Sequence, residues 1–128
     1  MENNFWKGDV RMKIITQKEF DNFPIVNGYK QCPSGDYSQI THFKDKCNFE
    51  DWSKFGNNCI FHDESIFGYH CTFGYSCTFG KKCLFKESNI FERCCSFGFN
   101  CNFYIACTFK EKCNFDTSCT FSAKYLSE

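Results

Sequence analysis

Twelve cysteines and three histidines carry most of the chemistry that this chain could perform. Thiolates and imidazoles hold zinc, paired thiols close disulfides, and an imidazole can act as a general base. Spacing decides among these. The cysteines recur as Cys-x5-Cys, not as the Cys-x2-Cys of zinc sites, and His42, His62 and His70 stand at no ligand spacing from them. No metal site and no cofactor is expected. His62 and His70 are the two candidate catalytic bases, yet no Ser-His-Asp spacing, glycine-rich phosphate loop or paired-carboxylate motif accompanies them.

The cysteines belong to a repeat that dictates where the other residues sit. Phe recurs every six residues from Phe43 to Phe121 without a break, and two residues before each stands a small side chain. That side chain is Cys in most hexads and Thr41, Ser53, Ser65 or Asn89 in the rest, Asn89 fitting least well. In an extended strand residues i and i+2 share a face, so Cys and Phe point together and the residue between them points away. The intervening residues, among them Lys54, Ile66, Thr78, Leu84 and Asn102, are mixed in character, as an outer face is. The other three residues of each hexad are mostly polar or Gly and can turn the chain. Gly56, Gly68, Gly74, Gly80 and Gly98 directly follow the Phe, where a residue without Cβ favours a bend. An α-helix is excluded, because six residues rotate it by about 600° and scatter the Phe around the cylinder. Hairpins are excluded too, since every segment has the same polarity and no Asn-Gly turn recurs within the repeat.

The fold class that follows is mainly β: a parallel β-helix with three hexads to a coil and about four to five triangular coils over residues 41–122. Adding eighteen aligns residues on adjacent coils. One column is Cys59, Cys77, Cys95 and Cys113; another is Cys47, Ser65, Cys83, Cys101 and Cys119; the third is Ser53, Cys71, Asn89 and Cys107. Parallel neighbours in register hold their Cβ atoms ~4.8 Å apart, longer than the ~3.8 Å of a disulfide, so reduced, buried thiols are expected. Cys32 and Cys94 fall outside the lattice and are the two candidates for reactive thiols.

The small-x-large-Gly-x-x pattern, as in Cys71-Thr72-Phe73-Gly74-Tyr75-Ser76 and Cys77-Thr78-Phe79-Gly80-Lys81-Lys82, resembles the hexapeptide-repeat left-handed parallel β-helices. The resemblance spans residues 41–122, with Phe where that superfamily has Leu, Ile or Val. It implies a left-handed coil, where general crossover rules would favour the right hand. It also implies a homotrimer, and, as one function, a minimal trimeric acyltransferase whose general base between subunits would be His62 or His70. The hexads run without the long inserted loops that shape such substrate sites, so an enzyme is not the favoured expectation. Small Cys-x-Phe-Gly-rich hexad proteins also resemble accessory proteins of phages and mobile elements, which implies inhibition of a host defence complex.

Residues 1–40 lack the hexad and are expected to form a small N-terminal cap, and residues 123–128 a C-terminal tail. Thr16-Gln17-Lys18-Glu19 has the form of a capping box, predicting a short helix over 17–23 that stops before Pro24. Ile25-Val26 reads as a strand and Pro33-Ser34-Gly35-Asp36 as a turn. Lys plus Arg balance Asp plus Glu at 15 each, so no net field draws the chain to nucleic acid or to an anionic membrane, and neither is expected as a partner. No apolar run is long enough to span a bilayer, and Met1-Glu2-Asn3-Asn4 lacks the basic-then-apolar order of a secretion signal, so a cytoplasmic location is expected.

With the core formula assigned, function falls to the outward positions. Ile66 and Leu84 point outward on adjacent coils, and Tyr69, Tyr104 and Ile105 adjoin them at a corner; Tyr75 with Arg93, and Phe99, mark two further corners. Apolar residues gathered on one surface mark an interface. The expected function is a non-catalytic binding or inhibitory protein whose partner is a second or third copy of itself or a host protein. Sequestration of a small nucleotide in inter-subunit clefts near Tyr75 and Arg93 is the remaining alternative.

Overall fold

The computed structural model describes residues 12–122. Strands are numbered along the chain. The first face of the solenoid contains β2 (Tyr29–Cys32), β4 (Cys47–Phe49), β7 (Ile66–Phe67), β10 (Leu84–Phe85), β13 (Asn102–Phe103) and β16 (Thr120–Phe121), with β1 (Ile25–Val26) antiparallel at its end. The second face contains β5 (Lys54–Phe55), β8 (Thr72–Phe73), β11 (Ile90–Phe91) and β14 (Thr108–Phe109). The third contains β3 (His42–Phe43), β6 (Ile60–Phe61), β9 (Thr78–Phe79), β12 (Ser96–Phe97) and β15 (Asn114–Phe115). The chain visits the three in turn, and from β3 to β13 each strand pairs in parallel with the one eighteen residues on, as Leu84 does with Asn102. The protein is therefore a parallel β-solenoid of about five coils, with almost no helix among the described residues.

Two hydrogen-bond ladders run along it. In the strands an N–H donates to the preceding coil, as from Thr78 to the Cys59 carbonyl (2.8 Å) and from Gly80 to that of Phe61 (3.0 Å). At the corners the direction reverses, and Glu64 N–H donates to the Lys81 carbonyl on the following coil (2.8 Å). The last residue of each corner takes a positive φ, whatever its type: Trp52, Asn58, Glu64, His70, Ser76 and Lys82 all do. The left-handed bend thus comes three residues after the Phe, not at the Gly.

Glycine follows Phe for a different reason. A Cβ on Gly74 would lie 2.7 Å from the Gly56 carbonyl carbon and 2.8 Å from Asn57 N, and one on Gly80 2.6 Å from Asp63 N. The coil above crowds that point because a side chain there folds back onto the backbone. Asp51, Asn57 and Asp63 each accept, through Oδ1, the N–H of Tyr69, Tyr75 and Lys81 at 2.9, 3.0 and 2.9 Å. An Asx on one coil and a Gly seventeen residues later form one device.

Inside, the Phe rings form three stacks, one behind each face. Phe61, Phe79 and Phe97 lie parallel at 4.8 Å between centroids, and Phe67, Phe85 and Phe103 do the same. Rings of different stacks meet edge to face, as Phe79 and Phe85 do at 5.1 Å and 84°. Strand spacing imposes the first geometry and the aromatic quadrupole favours the second. The thiols are free, and those of the lattice are buried through Cys101. They are more than fillers. Cys77, Cys95, Cys101 and Cys119 each donate to a carbonyl 21 residues earlier, at 3.3–3.4 Å. Asn89 follows the same rule with its amide, donating to Gly68 O (3.0 Å) and Lys86 O (2.6 Å), while its Oδ1 is buried without a partner. Burial pushes the Cys71 thiol up to about 12, and the neighbouring Cys59 thiol together with burial pushes Cys77 up to about 12.

The stacked register begins before the hexads do. Lys30 pairs with Cys47 and Cys32 with Phe49, so Cys32 is a buried core residue and not a reactive surface thiol. Tyr37 stacks on Phe55 at 5.4 Å, and Ile15 lies buried beyond it, its N–H on Asp36 O. The helix α1 spans Gln17–Asp21, with the Thr16–Glu19 capping box formed in both directions. Phe20 from α1 meets Phe43 edge-on at 5.2 Å, closing that end of the core. Lys30, buried in a cysteine column, donates Nζ to Phe20 O (3.0 Å) and Asp21 O (3.3 Å), and so ties the helix end to the first coil. The expected turn at 33–36 is a bend at Ser34, with Asp36 bridging to Ile14 and Lys54. At the opposite end Phe115 and Phe121 are exposed. The tail of residues 123–128 lies outside the described residues.

Candidate functional site

The three corners of the prism carry different side chains. Between the second and third faces, the Arg93 guanidinium lies 5.4 Å from the Tyr75 ring centroid; between the third and first, Lys81 Nζ lies 5.6 Å from that of Phe99. Tyr75 and Phe99 thus each meet a cation from the chain itself, an attraction of the ring face for positive charge.

The corner between the first and second faces is the richest in aromatic groups. Its residues are Glu50 to Trp52, Gly68 to His70, Lys86 to Ser88 and Tyr104 to Ala106 on successive coils. Trp52 is 62% exposed, the most exposed large apolar side chain among the described residues. Its indole lies on the His70 imidazole, centroids 4.3 Å apart and planes 14° from parallel. Tyr69 is exposed, with Lys86 Nζ 5.9 Å from its ring, and Tyr104 is exposed two coils below Glu50's neighbour Gly68. Ile105 is half-buried beside Tyr104, and Ile66 and Leu84, in register on the adjoining first face, are half-buried as well. The structure therefore brings Ile66, Tyr69, Leu84, Tyr104 and Ile105 to one edge and its adjoining face, and puts Tyr75, Arg93 and Phe99 on the other two corners.

Two clefts open on the same first face and share Asn48. One, of about 410 Å3, is lined among others by Ser34, Glu50, Asp51, Trp52 and Lys86; the other, of about 360 Å3, by Val26, Tyr29 and Ile66. The backbone beneath the first is held from both sides. Glu50 N–H donates to Cys32 O (3.0 Å), Trp52 N–H to Tyr69 O (2.8 Å), and the Ser34 hydroxyl to Asp51 O. Asp51 in turn accepts the Tyr69 N–H.

The two histidines considered as bases are not brought together. His62 is exposed at the corner between the third and first faces, its Nδ1 3.1 Å from Asp63 O, while His70 lies a face away under Trp52. Neither imidazole bonds a carboxylate among the described residues. Nor does any group of three or more His, Cys, Asp and Glu side chains there have a geometry for holding a metal ion. No helix among the described residues is long and apolar enough to cross a membrane. Cys94 is half-buried at a corner, in left-handed backbone.

No protein-family model matches the chain, and neither a characterised protein nor a solved structure is significantly similar to it. What is established is the parallel solenoid with its eighteen-residue coils and regular Phe.

Trp52 and His70 as a pair escaped the reading of the sequence. Trp52 is a single residue outside the Cys and Phe columns, and nothing local marks it. The eighteen-residue register does: Trp52 plus eighteen is His70, and both occupy the left-handed corner position.

Proposed function

We propose that the chain is a non-catalytic binding protein whose partner surface is the edge carrying Trp52, Tyr69, His70 and Tyr104. The observation that carries this reading is Trp52: a bulky indole, largely in solvent, on a left-handed backbone position that Asn, Ser and Lys fill elsewhere in the solenoid. The core is complete without an aromatic residue there, and non-Gly residues in that conformation cost of order 1 kcal/mol. Trp and Tyr are the side chains most enriched where proteins bind one another, since they bury large area at low entropic cost. Tyr69 and Tyr104, with Ile66 and Leu84 beside them, extend the apolar strip along the prism.

On its small-x-large-Gly-x-x pattern we read the chain as a divergent member of the hexapeptide-repeat superfamily, and the likeness of its Cys-x-Phe-Gly hexads to phage accessory proteins supports an inhibitory role. Its target is then a host protein whose action binding blocks. A second copy of the chain is the other partner that such an edge would serve.

Paired affinity capture tests the reading. Wild-type protein, a Trp52→Ala/Tyr69→Ala variant and a Tyr75→Ala/Phe99→Ala variant serve as baits in the same lysate, with sedimentation velocity of each protein alone. A partner, or self-association, lost in the first variant and kept in the second is the expected result. Identical captures and identical sedimentation for all three proteins would refute the assignment of the edge.

A further inference from the structure

The cleft beside Trp52 has a shape and a charge that narrow its ligand. His70 covers one face of the indole at 4.3 Å, and the coil above offers only Ser34 across the cleft that opens on Trp52. The opening is a slot lined by the exposed indole together with the acidic residues Glu50 and Asp51. Asp51 accepts the Tyr69 N–H through Oδ1, and a carboxylate has capacity for further donors. The one cation on the lining is Lys86, whose ammonium lies toward Tyr69. A planar cation suits the indole and the two carboxylates, though not Lys86. A guanidinium stacks on Trp, donates in its plane to carboxylates, and gives up its hydration more readily than an ammonium.

We infer that the slot receives an arginine side chain presented by the protein partner, stacked on Trp52 and held by Glu50 and Asp51. This inference rests on the edge being a protein-binding surface, and it names what that surface recognises. The slot needs little rearrangement to bind. Glu50 N–H on Cys32 O, Trp52 N–H on Tyr69 O, and the Ser34 hydroxyl on Asp51 O lock its backbone to the coils above and below. Pre-organisation of this kind lowers the ordering cost of association. Lys86 works against the ligand's charge and sets a ceiling on affinity for a lone arginine, so the rest of the edge must supply the remainder of the binding.

The chain has two tryptophans, so a full-length Trp6→Phe variant reports on Trp52 alone. It is titrated with N-acetyl-arginine amide, with the neutral isostere N-acetyl-citrulline amide, and with adenosine monophosphate, following indole fluorescence. A saturable change is expected with the arginine compound, at a Kd about tenfold or more below that of the citrulline compound. Glu50→Gln weakens the arginine response by about threefold to fivefold, and Lys86→Met tightens it by a similar factor. Circular dichroism checks that both variants keep the solenoid. Equal responses to arginine and citrulline, tighter saturation by the nucleotide, or no saturable response at all would overturn the inference. A chain that captures a partner through Trp52 and Tyr69 yet gives no arginine response would retain its binding edge and lose only the arginine slot.

Discussion

Stacked aromatic columns make the cost of losing a ring depend on its place in the stack. Phe79 is 2% exposed and lies between Phe61 and Phe97, each 4.8 Å away and parallel. Four more rings meet it edge-on, from Phe73 at 5.2 Å and Phe85 at 5.1 Å to Phe67 and Phe91 at 5.7 Å. Phe79→Ala removes the buried ring and leaves a closed cavity between two intact coils, which costs ~3–5 kcal/mol, with the upper end favoured by the lost ring pairs. Phe121 is 49% exposed and has one stacking partner, Phe103 at 5.1 Å. Its truncation forfeits about half the transfer term and encloses no cavity, so ~1–2 kcal/mol is expected. Urea unfolding under reducing conditions, followed by far-ultraviolet circular dichroism, measures both. At a slope of ~1.5 kcal/mol/M, Phe79→Ala lowers the midpoint by about 2–3 M and Phe121→Ala by about 1 M. A cost at Phe121 equal to that at Phe79 would refute the picture of a core whose stability is built up by neighbouring coils.

Three further outcomes follow from the corners and the thiols. Gly74→Ala destabilises by ~1–3 kcal/mol, because the new Cβ meets backbone of the coil above at 2.7–2.8 Å, whereas Gly56→Ala, with its nearest contact at 3.1 Å, costs less; chemical denaturation of both variants gives the order, and equal costs would remove the crowding argument. Asn89→Cys stabilises by ~1 kcal/mol, since it deletes the partnerless Oδ1 and keeps one donor, while Cys107 continues to donate to Lys86 O; a loss of stability would show that both amide donors are required. Raising pH destabilises the fold from about pH 9 upward. Cys71, raised by burial, is held near 12 in the folded state against an ordinary value of 9.0, so its contribution is complete below pH 9 and is lost as pH climbs toward 12. That thiol supplies a slope of ~1.4 kcal/mol per pH unit in that window, and a Tm that stays flat from pH 8 to 11 in reductant would contradict it.

Much of the solenoid could be read from the chain because its two periods are geometric. Alternation by two puts Cys and Phe on one side of a strand, and addition of eighteen stacks them, so the columns Cys59–Cys77–Cys95 and Phe61–Phe79–Phe97 needed no further information. The capping box at Thr16 was legible for a similar reason: both of its hydrogen bonds lie within four residues. The start of the register was not. Between β2 and β4 the step is seventeen, and the core positions are filled by Lys30 and Cys32, a charged residue and a thiol that match neither member of the Cys-x-Phe pair. Lys30 is accommodated there because the carbonyls at the end of α1 and the Asp45 carboxylate, 3.6 Å away, come to meet it. The candidate edge was half legible. Ile66, Tyr69, Leu84, Tyr104 and Ile105 follow from the outward phase of the repeat, whereas Trp52 depends on a corner conformation that appears in residues as unlike as Asn58, Lys82 and Ala106 and so leaves no side-chain signature.

The recurring cysteine also changes meaning once the hydrogen bonds are traced. A solenoid corner presents carbonyls that the two backbone ladders leave with spare capacity, and these point toward the core, where water does not reach. Alanine would fill the volume and leave them bare; serine would satisfy them but lower the apolar content of a narrow core. The thiol is small, apolar and a weak donor, so it meets both demands at once. The exceptions follow the same logic, since Ser53 donates to Glu50 O at 2.9 Å and Asn89 reaches two carbonyls together. Chemistry that the cysteines seem to offer is thereby used up inside the fold, in holding coil to coil. Recognition is left to the corners, where the lattice constrains backbone and leaves the side chain open, and it is there that a tryptophan stands on a histidine.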